Sequence, residues 1–329
     1  MKKYDVIIAG ATGKVGQTFL KVIEEYNFPI NRLKLLASAR SVGKEFTVLG
    51  KTYAVEELTA EAFDGYELAF FSAGGDMSKK FSPIAREKGV TVIDNSSAWR
   101  MDETIGLVVP EINIEDALQN KIIANPNCST IQSVIPLNAL KPFGIKQVGY
   151  TTYQAVSGSG QKGSEDLERT KRGEAPQFYP HNISDTVIPE IDVFTDNGYT
   201  KEELKMIFET RKILHLPDLP ISATCVRVPI ANGHGVMVQV QLSQSFELSE
   251  IRAAFEQQEG IIVLDNGSAH EYPTATVANG TDTVYVGRIR KDLAIENSLL
   301  FFCYADNIRK GAASNAVQIA VKMIEKGML

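Results

Sequence analysis

Tyr4-Asp-Val-Ile-Ile-Ala9, then Gly10-Ala-Thr-Gly-Lys-Val-Gly16, then Gln17-Thr-Phe-Leu-Lys-Val-Ile-Glu-Glu25: this opening stretch decides the fold. Its first six residues are β-rich and apolar, as in a short buried strand. Its last nine place Phe19, Leu20, Val22 and Ile23 at the spacing of one helix face. Between them Gly10, Gly13 and Gly16 form a GxxGxxG turn, a variant of the dinucleotide fingerprint. Glycine lets the backbone turn tightly and approach a pyrophosphate, while the following helix offers free N–H groups and a partial positive charge. Glycine is common in such turns. Its place at the head of a strand–helix–strand series is what makes the reading specific.

Outward from that stretch, Leu33–Ala37, Leu68–Ser72, Val90–Asp94 and Lys121–Ala124 read as further strands, with Ser82–Lys88 a helix between two of them. Strands alternating with helices predict a parallel sheet covered on both faces. Where an NAD-binding chain carries Asp or Glu for the ribose 2′-hydroxyl, this one has Ala37-Ser-Ala-Arg-Ser41. Arg40 can pair bidentately with a 2′-phosphate, aided by the Ser41 hydroxyl, so NADP is favoured. A solvated loop arginine is the bland alternative. Near Asn125-Pro-Asn127 the pattern changes. Gly149–Ala155, Thr224–Ile230, Val236–Leu242 and Leu299–Ala305 are longer and more alternating, as in an α+β domain on a mostly antiparallel sheet. Thr200–Leu214 and Ser249–Glu256 read as helices within it. A last helix, Gly311–Leu329, is expected to return to the first domain. The expected division is therefore 1–127 completed by helix 308–329, and 128–307.

A chain of 329 residues exceeds the usual single core, and 44% apolar with 22% charged residues is ordinary for a globular protein. The net charge of −6, from 34 basic and 40 acidic residues, argues against nucleic acid or an anionic membrane as partner. The longest apolar stretches, such as Leu299–Ala305, fall far short of the roughly 18 residues a spanning helix needs. The N-terminus runs straight into a strand without a signal-peptide core. Three cysteines make no disulfide framework, and no CxxC or Cys/His cluster suggests a metal. A cytoplasmic, metal-free chain is expected.

Cys128 lies in Asn125-Pro-Asn-Cys-Ser-Thr130, just before the apolar run Ile131–Leu140. A thiol at a helix N-terminus has its thiolate stabilised by the dipole and by free N–H groups. Covalent acyl chemistry needs such a nucleophile, N–H donors for an oxyanion, and a nearby acid/base. Cys225 and Cys303 sit in apolar strand-like segments and read as small buried hydrophobes. Among four histidines, His234 is flanked by Gly233 and Gly235, which suits a side chain projecting from a tight loop into a cavity. On pattern alone a structural loop histidine fits as well. Arg227, seven residues earlier, is the natural clamp for a substrate carboxylate.

Gly10–Gly16, Asp94-Asn-Ser-Ser-Ala-Trp-Arg-Met101, Val109-Pro-Glu-Ile-Asn113, Asn125–Thr130, Tyr153-Gln-Ala-Val-Ser-Gly-Ser-Gly160, Arg227-Val-Pro229, Gly233–Gly235 and Asp306–Gln318 together resemble the aspartate-β-semialdehyde dehydrogenase family. The likeness covers nearly the whole chain, and so many blocks in the right order are far more specific than any one. It implies a Rossmann-type domain plus an α+β catalytic domain of the glyceraldehyde-3-phosphate-dehydrogenase kind, and a homodimer through the second domain's sheet. By position, Cys128 would be the acyl-enzyme nucleophile, His234 the general acid/base, and Gln154 the residue orienting the thioacyl group. Arg227 would hold the substrate α-carboxylate and Glu202 its amino group. Arg100, Asn127 and Lys205 would bind phosphate. Gly10, Thr12, Gly13, Lys14, Val15, Gly16, Arg40, Ser41, Ser157, Gly158 and Asn307 would bind the cofactor, NADP. Independently, Thr200 with Glu203 has capping-box spacing, and Glu202 with Lys205 are i,i+3 neighbours that could be a mere exposed ion pair.

The implied activity is NADPH-dependent reduction of β-aspartyl phosphate to aspartate β-semialdehyde and phosphate, through a cysteine thioester. That reaction serves lysine, diaminopimelate, threonine and methionine biosynthesis. Two rivals stay open: N-acetyl-γ-glutamyl-phosphate reductase, the same chemistry on a longer acetylated substrate, and a non-catalytic NADP-binding sensor. Glu202 favours a free amino group over an acetylated one.

Overall fold

In the computed structural model, which describes residues 2–329, the chain divides into two units: Met1–Pro126 with Ala312–Leu329, and Asn127–Gly311. The first unit begins β1 (Tyr4–Ala9), α1 (Lys14–Glu25), β2 (Ile30–Ala37), β3 (Glu45–Val48) and β4 (Lys51–Glu57). It continues with β5 (Leu68–Phe71), α2 (Gly75–Glu87), β6 (Thr91–Asp94) and β7 (Ile122–Ala124). These strands form one seven-stranded sheet in the order β3-β4-β2-β1-β5-β6-β7. Every pairing is parallel except β3 with β4. That hairpin was not legible. Its strands are short, and its two-residue turn, Leu49-Gly50, forces a positive φ on a leucine. The helix expected from Ser82 starts seven residues earlier, and Pro83 lies inside it.

The second unit opens with α3 (Cys128–Leu140), β8 (Ile145–Gln154), α4 (Gly160–Lys171), α5 (Lys201–Leu214), β9 (Ile221–Arg227) and β10 (His234–Leu242). Then come α6 (Leu248–Gln257), β11 (Ile261–Val263), α7 (Ala275–Ala278), β12 (Val284–Lys291) and β13 (Ser298–Ala305). The sheet runs β11-β12-β13-β10-β8-β9. Three of its pairings are antiparallel, while β11/β12 and β8/β9 are parallel. Helix α3 packs on β8, β10, β12 and β13 and is flanked by α5 and α6. It is apolar all round, as Ile131, Val134, Ile135, Leu137 and Leu140 require, and so is buried almost throughout. Pro136 inside it removes the N–H that would bond the Gln132 carbonyl.

The chain returns to the first unit through a π-helical turn, Arg309–Ala313, into α8 (Ser314–Glu325). The helix expected from Gly311 therefore starts three residues later. Ala316, Val317, Ile319, Ala320 and Met323 join Val6, Ile8, Phe19, Ile23 and Leu35 in one core. The buried Asn315 amide donates to Asn125 Oδ1 at 2.7 Å and to the Val108 carbonyl at 3.1 Å, tying α8 to the end of β7. No helix among the described residues is long and apolar enough to cross a membrane.

Candidate active site

Strand pairing puts three expected site residues in one row of the second unit. Gln154 ends β8, Arg227 ends β9 and is its parallel partner, and His234 begins β10 and is its antiparallel partner. Directly paired residues share a sheet face, and all three are buried. The flanking glycines suggest a loop, but His234 is the first residue of a strand. The glycines serve clearance instead. A Cβ on Gly235 would lie 2.6 Å from the Phe302 ring, and one on Gly233, whose φ is +88°, 2.6 Å from Asn279.

The Ala155 N–H donates to His234 Nδ1 at 3.0 Å, so the neutral ring carries its proton on Nε2. That Nε2 is buried with no hydrogen-bond partner. Burial, and then the neighbouring Arg227 guanidinium, push His234 down to about 3. The geometry agrees: an imidazolium would aim a second N–H at the Ala155 N–H. Arg227 itself donates to the Ala155 carbonyl at 2.8 Å. Gly158 closes over both, since a Cβ there would sit 3.0 Å from Arg227 Nη1 and 3.1 Å from His234 Nε2.

Cys128 is the first residue of α3. Asn127 caps the helix, its Oδ1 accepting from Ser129 N at 2.9 Å and Thr130 N at 3.3 Å. The other face of that amide donates to Glu202 Oε1 at 2.9 Å, where Gln154 Nε2 also arrives at 3.1 Å. The Asn127 N–H goes to buried Glu209 at 2.6 Å. Lys205 bonds Glu202 Oε2 at 3.1 Å and Asp192 at 2.9 Å. The pair is thus no exposed helix-surface bridge. Burial would raise the Glu202 carboxyl, but Lys205 and the two amides outweigh it and hold it below the usual range. Thr200 and Glu203 complete the expected capping box that starts α5. Gly311, the last residue of the unit, packs against Cys128: a Cβ there would come 2.8 Å from Cys128 Cβ. Asn307 accepts from the Ser157 hydroxyl at 2.9 Å and the Gly233 N–H at 2.8 Å. Cys225 and Cys303 are buried in β9 and β13; burial drives the Cys225 thiol up and the Cys303 thiol to about 12.

In the first unit, Gly10 has φ +87°, and a Cβ there would meet the Ser72 carbonyl at 2.3 Å. A Cβ on Gly16 would meet the Gly10 carbonyl at 2.1 Å, so only glycine allows this turn. Gly13 is the N-cap of α1 and offers no side chain to its N–H groups, and Lys14 and Val15 follow in the first turn. Gly10, Thr12, Gly13, Ser38, Ser72 and Met77 line a cleft of about 270 Å³ there. Ser41 is buried, with the Thr12 hydroxyl 3.4 Å from its own, while Arg40 beside it is exposed. Arg100 is buried and donates to the Asn95 carbonyl at 3.0 Å. Its loop hangs on Asp94, which accepts from Ser96 N at 2.8 Å, the Ser96 hydroxyl at 2.9 Å and the Ser78 hydroxyl.

Sequence reasoning missed Ser38, Ser72 and Met77 in the cleft, Asp192 on Lys205, Glu209 behind Asn127, and Asp94 beneath Arg100. Except for Asp94, whose Ser96 partner is two residues away, each meets its partner only through the fold, so no local spacing signals it. No group of three His, Cys, Asp or Glu that could hold a metal ion occurs among the described residues.

Residues 5–120 match the family profile described as semialdehyde dehydrogenase, NAD binding domain, and residues 135–310 the one described as semialdehyde dehydrogenase, dimerisation domain. The chain is 50% identical to the aspartate-semialdehyde dehydrogenase of Aquifex aeolicus, over 99% of each chain. It is 44% identical to that of Campylobacter jejuni, over 98% of each. Aspartate semialdehyde dehydrogenase II from Vibrio cholerae, solved in complex with ASA, superposes with a TM-score of 0.95 at 42% identity over 99% of both chains.

Proposed function

The chain belongs to the aspartate-semialdehyde dehydrogenase family, and from that premise we propose that it reduces β-aspartyl phosphate to aspartate β-semialdehyde with NADPH, releasing phosphate. We read it as a cytoplasmic homodimer supplying lysine, diaminopimelate, threonine and methionine biosynthesis. Within that reading, Met1–Pro126 with Ala312–Leu329 is the NADP-binding part and Asn127–Gly311 the catalytic and dimerisation part. The single observation that carries the site assignment is Cys128 at the head of a buried helix, in a unit that aligns Gln154, Arg227 and His234 in one row.

The glycine turn fits a nicotinamide dinucleotide: three glycines, two of them sterically obligatory, lead into an uncapped helix N-terminus beside a cleft. Gly10, Thr12, Gly13, Lys14, Val15 and Gly16 would hold its diphosphate, Arg40 and Ser41 the 2′-phosphate, and Ser157, Gly158 and Asn307 its reactive end. When bound, that group supplies the hydride. The chain's own residues do the rest. The Cys128 thiolate attacks the acyl phosphate, phosphate departs, and a thioester remains on sulfur. Arg100, Asn127 and Lys205 hold the phosphate, and Gln154 orients the thioacyl group. Arg227 holds the α-carboxylate and Glu202, kept ionised by Lys205, the ammonium. His234 serves the reacting oxygen through Nε2, the atom that bears the proton of its neutral ring, as each tetrahedral adduct forms and collapses.

Phosphate-dependent NADP⁺ reduction by the purified protein with aspartate semialdehyde tests the reading. Activity that requires phosphate and prefers NADP⁺ supports it, whereas turnover of the N-acetyl-γ-glutamyl substrate instead would replace it. Arg40→Ala should narrow the preference for NADP over NAD, which competes directly with the view of Arg40 as a solvated loop residue.

A further inference from the structure

Gln132 lies on α3 one turn after Cys128, at the i+4 position that shares its face. It is fully buried amid Ile131, Val134 and Ile135. Its Nε2 donates to the main-chain carbonyl of His234 at 2.8 Å and, less closely, to that of Cys303 at 3.4 Å. Its Oε1 is buried with no hydrogen-bond partner. A half-satisfied amide in an apolar helix is unfavourable, and methionine of the same length would pack there without that penalty. What the amide does is join the helix that starts with Cys128 to the first residue of β10, 102 positions away.

We propose that Gln132 is a positioning residue that sets His234 against Cys128. The inference rests on those two as acid/base and nucleophile. His234 is gripped from two sides: the Ala155 N–H holds the ring at Nδ1, and Gln132 holds the main chain. The second grip comes from the nucleophile's own helix, so a shift of α3 carries the His234 backbone with it. Gln132 touches neither Nε2 nor Arg227, Glu202 or Lys205, so its loss acts on turnover and leaves substrate binding in place.

Two isosteres test this in the phosphate-dependent assay. Gln132→Met keeps the shape and loses the donor; kcat should fall about tenfold, as a sub-ångström misplacement predicts, with KM for aspartate semialdehyde and phosphate little changed. Gln132→Glu points a carboxyl at two carbonyl oxygens. Ionised it repels them; protonated it donates as the amide did. Its activity relative to the unsubstituted enzyme should therefore climb from about pH 8.5 to about pH 6, while the Met deficit stays flat. A folded Met variant within about threefold of full kcat, or a Glu variant whose relative activity ignores pH, overturns the proposal. If the Met protein does not fold, the Glu profile decides alone. Cys128→Ser and His234→Ala run alongside: if either retains turnover, the nucleophile and acid/base reading fails, and if both are dead while the Gln132 variants are fully active, only the positioning role fails.

Discussion

Gly158 and Gly160 stand two residues apart and are glycine for opposite reasons, which makes Gly158→Ala informative. The φ of Gly158 is not in the left-handed region, so its backbone accepts alanine. The added Cβ would lie 3.0 Å from Arg227 Nη1, 3.1 Å from His234 Nε2 and 3.2 Å from Cε1. Those neighbours must yield by a few tenths of an ångström. Neither can do so freely, because both are tied to Ala155, Arg227 through its carbonyl at 2.8 Å and His234 through its N–H at 3.0 Å. If a 1 Å misplacement costs about a hundredfold, half that should cost about tenfold in kcat, near 1.4 kcal/mol. Gly160→Ala has nothing within 4 Å but holds φ +72°, so it should cost about 1 kcal/mol of stability and leave kcat nearly intact. The assay is kcat at saturating cofactor with thermal unfolding of each protein. A Gly158→Ala enzyme with unaltered kcat, or a Gly160→Ala enzyme with the larger kinetic loss, would refute the reasoning.

Further expectations concern the cysteines, the arginines and acid stability. Cys128→Ser should abolish turnover while Cys225→Ser and Cys303→Ser keep most of it; a thiol reagent that inactivates while labelling Cys225 or Cys303 first would contradict the assignment. Arg227→Ala should raise KM for aspartate semialdehyde more than for phosphate, and Arg100→Ala the reverse, each by roughly tenfold to a hundredfold from the loss of about 1.5–3 kcal/mol. Arg227→Lys should rescue little, since a point charge does not replace the planar fork. His234 has a folded value of about 3 against 6.5. Between those values the unfolded chain binds the extra proton, so this residue's share of stability is present above 6.5 and lost as pH falls. The loss should amount to about 2 kcal/mol at about pH 5, and urea titrations should find His234→Gln less acid-sensitive by that much.

The opening strand, glycine turn and helix were legible because their signals are local: apolar period, chain-turn glycines, helix face. The Thr200 cap was legible for the same reason, a three-residue spacing that both bonds obey. Cys128 stood out by context, and the structure does place it as the first residue of a helix. What stayed hidden depends on distant partners. Gln132 in the sequence is one amide among many, and only burial and a carbonyl 102 residues away give it meaning. Asn315 likewise looks like a helix-surface asparagine until Asn125 is beside it. At His234 the sequence signal points the wrong way for a different reason. Glycine signals flexibility in sequence, but here it signals crowding by Phe302 and Asn279, which only packing reveals. The β3–β4 hairpin failed through composition, since neither Leu49 nor its short strands advertise a turn.

The contact of Gly311 with Cys128 also bears on how the chain is assembled. Asn127–Gly311 is an insertion of about 185 residues between α1, with the sheet it covers, and α8, which completes the same core. Bringing the ends of an unstructured loop of that length together would oppose docking of α8 by about 4–5 kcal/mol in chain entropy. Because Cys128 and Gly311, at the two ends of the insertion, already meet within its own fold, its collapse removes that barrier in advance. Folding of the inserted unit should therefore precede closure of the discontinuous one. A bulky residue at position 311 would be felt twice, at Cys128 and in the speed with which the final helix finds its place.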